Sequence, residues 1–510
     1  MSNMAKQALP IIDFANSVGT VPEGKSVKLS VRDLSISFYT DKGRVHAVRG
    51  VSFDLYRGET LCIVGESGSG KSVTSRTIMG ILSNNAHIDS GSVTYEGEDL
   101  TKVSEEEFHR IRGDKIGMIF QDPLSSLNPI MKIGKQITEV MVINGNHLKR
   151  AFEDKIQEEL IALKNDERLL AIAHEDYRYA KKFLKVAKKK RNEEQIKEAK
   201  EELAKASAAF AAKKQEMAPI LQKDHAVLAA KKKEASAEVK AMADKLSAEH
   251  EARLTKIYEA YKDDRDLGLL YRKFVKEHRL YVSHLRVTQK EAKARALKVM
   301  AEVGIPAPEK RFNQYPFEFS GGMRQRIVIA IALTAEPDIL ICDEPTTALD
   351  VTIQAQILEL INRLKETHHM SVIFITHDLG VVANMADRVA VMYAGKIVEY
   401  GTAADVFYSP AHPYTWALLS SIPDIDSKER LEAIPGTPPN MIYPPKGDAF
   451  ALRSKYAMAI DFKEEPPMFQ ITPTHYASSW LLDSRSPEAV MPKIVSTRIE
   501  NSLRKAGLKK

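Results

Sequence analysis

Residues Gly65–Ser72 read GESGSGKS. This is the spacing G-x-x-x-x-G-K-[ST], and it narrows the possible folds more than any other stretch of the chain. An apolar run, Thr60–Val64 (TLCIV), precedes it and reads as a buried strand, and Val73–Leu82 follows as a helix. Strand, loop and helix in that order are the context the octet needs. Gly65, Gly68 and Gly70 let the backbone turn so that its N–H groups converge on phosphate oxygens. The helix starting near Lys71 aims its positive dipole end at the same point. In such a loop Lys71 reaches the β- and γ-phosphates and Ser72 holds Mg²⁺. The nucleotide-binding set is then Gly65, Glu66, Ser67, Gly68, Ser69, Gly70, Lys71, Ser72 and Val73. The chain is expected to bind a nucleoside triphosphate.

The 510 residues allow two to four domains. The longest apolar run, Ile327–Ala335, falls far short of a membrane span, and the N-terminus lacks the sustained apolar core of a secretory signal. A cytosolic chain able to dock on membrane proteins is the expectation. Cys62 and Cys342 both lie in apolar runs and read as small buried hydrophobes, not as a disulfide or a metal site. The net charge is +6, but 149–280 holds 32 Lys and Arg against 25 Asp and Glu, so the basic excess belongs to that segment. A nucleic-acid partner is not expected.

Along the chain, 1–26 reads as a mobile tail. Val27, Leu29 and Val31 then alternate with polar residues, and a second run follows at Ala47–Leu55. Together they predict a small antiparallel sheet. Ile116–Phe120 reads as a buried strand ending at Gln121, and Lys132–Asn144 as a helix. From 148 to 285 the chain is rich in Ala, Lys and Glu. Ile156, Leu163, Leu170, Tyr177 and Leu184 recur every seven residues, with Ala173, Ala180 and Ala187 three later in the same repeat. That is a coiled-coil seam. Its phase breaks near Lys188–Gln195, and one proline, Pro219, lies near the middle. The simplest reading is an antiparallel hairpin turning near Pro219, with arms on the order of 100 Å long; shorter helices folding back near Asn192 are the alternative. After 286, strands Ile339–Cys342, Val372–Thr376 and Arg388–Tyr393 alternate with helices. This predicts an α/β fold with a mostly parallel sheet. The expected parts are 27–147 and 286–401 as two halves of one ATPase domain, 148–285 as a helical insert, 402–483 as a Pro-rich, loop-rich extension, and 484–510 as a loosely held polar, basic tail.

Two further stretches carry chemistry. Ile339–Glu344 (ILICDE) is an apolar strand ending in two carboxylates. Asp343 suits the surroundings of Mg²⁺, and Glu344 is placed to polarise an attacking water. Phosphoryl transfer asks a protein chiefly for positioning and charge neutralisation, so few residues suffice. Phe319–Arg326 (FSGGMRQR) opens a long apolar helix with Ser-Gly-Gly, a second anion-binding helix start. The chain's own nucleotide is already served by Gly65–Ser72. A second cradle makes sense if it closes on a nucleotide held by another subunit.

FSGGMRQR resembles the signature of ATP-binding-cassette (ABC) ATPases. The other family elements follow in the family's order: GESGSGKS, Gln121, ILICDEP, Thr347–Asp350 (TALD) and His377 within ITHD. The resemblance implies an ABC ATPase domain with a RecA-like, mostly parallel sheet, a small antiparallel subdomain and a helical subdomain. Two such units would sandwich two ATPs. Lys71 of one would face Ser320, Gly321 and Gly322 of the other. His377 would touch the γ-phosphate, Gln121 would link Mg²⁺ to a membrane partner, and Asp350 would cross the dimer interface. An aromatic residue ahead of the loop would stack on adenine; Phe38 best fits that place, with Tyr39 second. QDPLSSLNP, DEPTTALDVTIQAQIL, HPYTWALLSSIP and IPGTPPN look like the ATPase subunits of bacterial di- and oligopeptide importers. Such subunits work with a second ATPase subunit in a heterodimer, two transmembrane permease subunits and an extracytoplasmic peptide-binding protein. They sit on the cytoplasmic face of the membrane.

The chain departs from that pattern twice. Many members carry four C-terminal cysteines that hold an iron–sulfur cluster. The corresponding positions here are Asp448, Ser454, Asp461 and Ser479, so no cluster is expected. The helical insert is the second departure. Import of another small solute such as nickel is one alternative function. A chromosome-maintenance ATPase of the SMC type, which also splits its head with a coiled coil, is another; the HPYT…IPG tail speaks against it.

Overall fold

The computed structural model describes residues 8–17, 24–105, 108, 111–112, 115–122, 126–143, 145–190, 193–262, 267–347, 349–422 and 434–505. The chain forms two compact units. One comprises Met1–Thr101, Ile111–Asp122 and Glu336–Lys510; the other comprises Lys102–Arg110 and Pro123–Ala335.

The first unit holds the strands β1 (Val27–Thr40), β2 (Gly43–Tyr56), β3 (Thr60–Val64), β4 (Ala86–Tyr95), β5 (Glu98–Asp99), β6 (Ile116–Ile119), β7 (Ile339–Asp343), β8 (Ser371–Thr376), β9 (Arg388–Tyr393), β10 (Lys396–Thr402), β11 (Phe469–Gln470) and β12 (Tyr476–Ala477). An antiparallel sheet has the order β2-β1-β4-β5, and an eight-stranded sheet the order β11-β12-β10-β9-β3-β8-β7-β6. In the larger sheet β3 runs parallel to both β8 and β9, and β7 runs parallel to β6 and β8. These inner strands are covered on both faces, so β3, β7 and β8 are buried along their whole length. That is why they read as unbroken apolar runs and not as alternation. Cys62 in β3 and Cys342 in β7 are fully buried, and burial pushes both thiols well above their ordinary pKa. The two sheets are joined by Arg388. It pairs with buried Glu59 at 2.5 Å, donates to the Asp54 carbonyl at 2.5 Å and stacks over Tyr56 at 4.0 Å.

Described residues of both expected tails are held against the rest of the first unit, while 1–7, 18–23 and 506–510 lie outside the described residues. Residues 8–17 are not a free tail: Ile12 N–H donates to the Met468 carbonyl at 3.1 Å, and the Phe14 ring lies 5.5 Å from those of Tyr400 and Tyr476. The extension adds β11 and β12 to the edge of the main sheet. Within the basic tail, Lys493–Lys505 is a helix that buries Ile494 and Val495, and Arg498 donates to the Leu419 carbonyl at 2.6 Å. Two buried apolar side chains in a polar segment are enough to dock a helix but too few to show a period.

In the second unit the described residues of the insert form three helices, His147–Lys190, Glu193–Tyr261 and Leu267–Leu285. The first two run antiparallel. Lys155 pairs with Glu238, Ile156 and Leu163 pack with Leu228 and Ala235, and the His174 ring lies 5.0 Å from Phe210. The first helix thus ends at Lys190 and its antiparallel neighbour begins at Glu193, on either side of the point where the heptad phase breaks. The reversal does not fall at Pro219, which sits inside the second helix. Proline removes one internal hydrogen bond and strains one turn, a cost of about 3 kcal/mol. A helix of 69 residues packed along its neighbour outweighs that. The paired arm is correspondingly short: 44 residues span about 66 Å. Further along, Tyr281 of the third helix stacks on His250 at 4.2 Å, and Arg253 pairs with Glu277. Among the described residues, no helix is long and apolar enough to cross a membrane.

Candidate functional site

The loop Gly65–Ser72 leaves the carboxyl end of β3 and runs into the helix Lys71–Ile78. Ligands of open α/β sheets bind at this edge. Two glycines are sterically obligatory. A Cβ on Gly65 would lie 2.0 Å from the Met392 carbonyl oxygen, and one on Gly70 (φ +102°) would lie 2.6 Å from that of Ala47. Gly395 N–H donates to the Ser69 carbonyl at 2.9 Å, holding the loop against the end of β9. Lys71 is buried, and its Nζ donates to the carbonyls of Gly65 at 2.7 Å and Glu66 at 2.9 Å. Burial lowers its pKa, while Glu344, Asp343 and Glu66 oppose that shift. Gly70 offers no side chain to cap the helix, so its first-turn N–H groups are left for an anion. Ser67 and Gly68 are exposed, and Val73 is half-buried.

Beside the loop, Ser72 Oγ donates to Asp343 Oδ1 at 2.8 Å. Burial raises the Asp343 pKa, with Ser72 and Arg76 opposing. A hydroxyl and a carboxylate form a hard-oxygen pair of the kind that holds Mg²⁺ together with phosphate oxygens and water. Among the described residues, no cluster of three or more His, Cys, Asp or Glu makes a closed metal cage.

Glu344 gathers the rest of the site. Its Oε2 accepts from Gln121 Nε2 at 3.0 Å and from Thr347 Oγ1 at 3.0 Å, and its Oε1 lies 3.3 Å from His377 Nδ1. Gln121 follows β6, Glu344 follows β7 and His377 follows β8, so three neighbouring strand ends bring them together. The Glu344 backbone is left-handed (φ +48°), and its N–H donates to the Ile375 carbonyl at 2.9 Å. For a non-glycine residue that conformation costs about 1–2 kcal/mol. Thr347 was expected only as the first residue of the TALD element and not as a partner of Glu344; its spacing of three from Glu344 is the signal for that contact.

The remaining residues are placed separately. Tyr39 is buried, with its ring near His87 and the Arg44 guanidinium, whereas Phe38 is half-buried. Asp350 is exposed and caps the helix Val351–His368, its Oδ1 accepting from Ile353 N–H at 3.0 Å; Ala348 lies outside the described residues. In the second unit, Ser320 caps the helix Gly321–Leu333 by accepting from Met323 N–H at 3.4 Å, with Gly321 exposed and Gly322 buried. In the extension, Asp448, Ser454, Asp461 and Ser479 each accept a nearby backbone N–H through a side-chain oxygen, at 2.9, 3.1, 2.6 and 3.3 Å. Carboxylates and hydroxyls thus cap the turns at these four positions.

Comparison with known proteins gives the same picture. Residues 48–347 match the family model described as ABC transporter, and residues 398–460 match the one described as oligopeptide/dipeptide transporter, C-terminal region. The chain is 42% identical to the oligopeptide transport ATP-binding protein OppD of Bacillus subtilis, over 92% of this chain and 93% of that one. It is 41% identical to the dipeptide transport ATP-binding protein DppD of Lactococcus lactis, over 90% and 92%. A solved dimeric structure of a bacterial ABC transporter cassette covers 74% of this chain and 98% of its own, with 18% identity and a TM-score of 0.40. From a loop built to hold phosphates, polar side chains gathered on Glu344 at the neighbouring strand ends, and relatives alike along almost the whole length, it follows that this chain is an ABC transporter ATPase, a member of the family of oligopeptide and dipeptide transport ATP-binding proteins.

Proposed function

We propose that this chain is the ATP-hydrolysing subunit that powers import of di- and oligopeptides. The observation that carries the substrate class is the match of residues 398–460 to the C-terminal region of oligopeptide/dipeptide transporters. The partners in this reading are a second, different ATPase subunit, two transmembrane permease subunits and an extracytoplasmic peptide-binding protein. The assembly holds the chain at the cytoplasmic face of the membrane.

In this reading Gly65–Ser72 cradles the ATP phosphates, with Glu66, Ser67, Gly68, Ser69, Gly70 and Val73 shaping the cradle and Lys71 neutralising the β- and γ-phosphates. Ser72 and Asp343 hold Mg²⁺, which when bound offsets phosphate charge; their 2.8 Å contact fits that role. Glu344 takes the proton of the attacking water. Its carboxylate is steered by Gln121 and Thr347, and His377 beside it meets the γ-phosphate. Phe38 is the better candidate for stacking on adenine, because the Tyr39 ring is already covered. Ser320, Gly321 and Gly322 close the nucleotide site of the partner ATPase. Asp350 crosses to that partner, and Gln121 passes the state of the site to the permease.

The test is uptake of labelled di-, tri- and pentapeptides by cells lacking this chain, compared with the parent strain. Loss of uptake, restored by the wild-type gene but not by Lys71→Ala, is the expected result. Unchanged peptide uptake with loss of another solute would overturn the substrate class.

A further inference from the structure

Two residues of the C-terminal extension reach back to the phosphate loop. The Tyr414 hydroxyl accepts the Glu66 N–H at 2.8 Å. The Arg453 guanidinium grips the Glu66 carboxylate in a fork, Nη1 to Oε2 at 2.5 Å and Nη2 to Oε1 at 2.9 Å. Such forks are stronger and more directional than a single hydrogen bond. Glu66 is thereby held at both its backbone and its side chain by parts of the chain 348 and 387 residues away.

The holding groups are themselves fixed. The Arg453 side chain is 4% exposed. It also donates to the Tyr393 hydroxyl at 3.1 Å and, through Nε, to the Pro435 carbonyl at 2.7 Å. The rings of Tyr393, Tyr414 and Phe450 pack on one another with centroids 4.5 to 5.3 Å apart, and the Arg453 guanidinium lies 5.7 Å from the Tyr393 centroid and 5.9 Å from that of Phe450. Tyr414 belongs to the HPYT segment. His412 Nδ1 accepts the Tyr414 N–H at 3.0 Å, and burial lowers the His412 pKa to about 3, which keeps that nitrogen an acceptor. Glu399 of β10, fully buried, accepts from Ala411 N–H at 2.7 Å and His412 N–H at 3.0 Å and meets His475 Nε2 at 2.8 Å. A continuous set of hydrogen bonds therefore runs from β10 through HPYT to the loop.

Glu66 matters because the nucleotide-binding lysine rests on it. The Glu66 carbonyl accepts from Lys71 Nζ at 2.9 Å, next to the Gly65 carbonyl at 2.7 Å. Shifting Glu66 shifts the support of Lys71. A burial role alone would be served as well by apolar side chains, which avoid the desolvation cost of a fixed charge pair.

We propose that Tyr414 and Arg453 are positioning residues for the nucleotide site, through which the C-terminal extension sets ATP affinity by holding Glu66. This rests on reading Gly65–Ser72 as the ATP cradle. The test measures ATP affinity and the nucleotide-free melting midpoint of the purified full-length chain, and KM and kcat for ATP of the transporter assembled with it, for the parent and for the variants Tyr414→Phe, Arg453→Met, Arg453→Lys and Lys71→Ala. Tyr414→Phe removes one oxygen and keeps the ring packing, so it stays informative if Arg453→Met fails to fold. The expected result is a KM for ATP raised about tenfold in Tyr414→Phe and Arg453→Met, as for loss of a charge-assisted or loop-fixing hydrogen bond. kcat should stay within about twofold, with partial recovery in Arg453→Lys, which keeps the charge but not the fork. An unchanged KM and affinity alongside a lowered melting midpoint makes the contact merely structural and overturns the proposal. So does a fall in kcat alone. If Lys71→Ala binds ATP normally, the reading of the loop itself fails; if it loses ATP while the other variants match the parent, only this inference does.

Discussion

Replacing Asp448 by asparagine tests the electrostatics of the C-terminal extension. Burial holds the Asp448 carboxyl up at about 6, against the Phe450 N–H that favours its charged form, and Asp461 and Glu465 add to the rise. In an unfolded chain the same group titrates near 3.9. Between those values the folded chain binds more protons than the unfolded one, so this group's contribution to stability is intact below about pH 4. It is lost as pH rises through about 6. The difference of about two pH units corresponds to about 3 kcal/mol once the group is ionised. Asparagine keeps the shape, and its Oδ1 can still accept the Phe450 N–H now made at 2.9 Å, but it carries no charge. Asp448→Asn is therefore expected to be more stable than the parent near neutral pH, by up to about 3 kcal/mol, and equal to it near pH 4. That is a rise in melting midpoint on the order of 3–6 °C. Calorimetric melting of both proteins in small pH steps between those limits measures it. A midpoint difference that does not grow with pH, or a variant less stable than the parent near neutrality, would refute the reasoning.

Three further outcomes are expected. Glu344→Gln keeps an oxygen for Gln121 and Thr347 to donate to but cannot take a proton. ATP should still bind while steady-state phosphate release falls about 10²–10⁴-fold, and wild-type turnover would remove Glu344 as the base. Gly65→Ala places a methyl 2.0 Å from the Met392 carbonyl oxygen, so titration with a fluorescent ATP analogue should show binding largely lost; parental affinity would contradict the geometry. Leu163→Ala empties a site that is 2% exposed between the first two insert helices, at a cost of about 2–5 kcal/mol. Amide exchange around Leu221–Ala235 should accelerate, and unchanged protection would show that this contact does not hold the arms together.

How much of this was legible in the sequence depended on distance along the chain. The loop Gly65–Ser72 and the strand ending at Asp343 and Glu344 could be read because each is a local pattern, a fixed glycine spacing or an apolar run with charged residues at its end. The meeting of Gln121, Glu344 and His377 was implied by family resemblance and is produced physically by the parallel pairing of β6, β7 and β8. Pro219 misled, because a proline's local cost is visible in sequence while the packing of Met217 and Leu228 that overrides it is not. The two-residue strands β11 and β12 are too short to show alternation. The grip of Arg453 and Tyr414 on Glu66 had no sequence signal, since nothing local marks a contact between residues 387 or 348 positions apart.

The burial of Cys62 and Cys342 in the inner strands has a practical consequence. They are the chain's two cysteines. Neither exposes any surface, and both hold their protons more tightly than a free thiol. Maleimide dyes need an accessible thiolate, so the folded native chain is silent toward them. A single cysteine introduced at exposed Met242 on the second insert helix, or at exposed Val351, would take the label alone. Pairs of such sites would let fluorescence follow the insert through the ATPase cycle without first stripping the protein of its own cysteines.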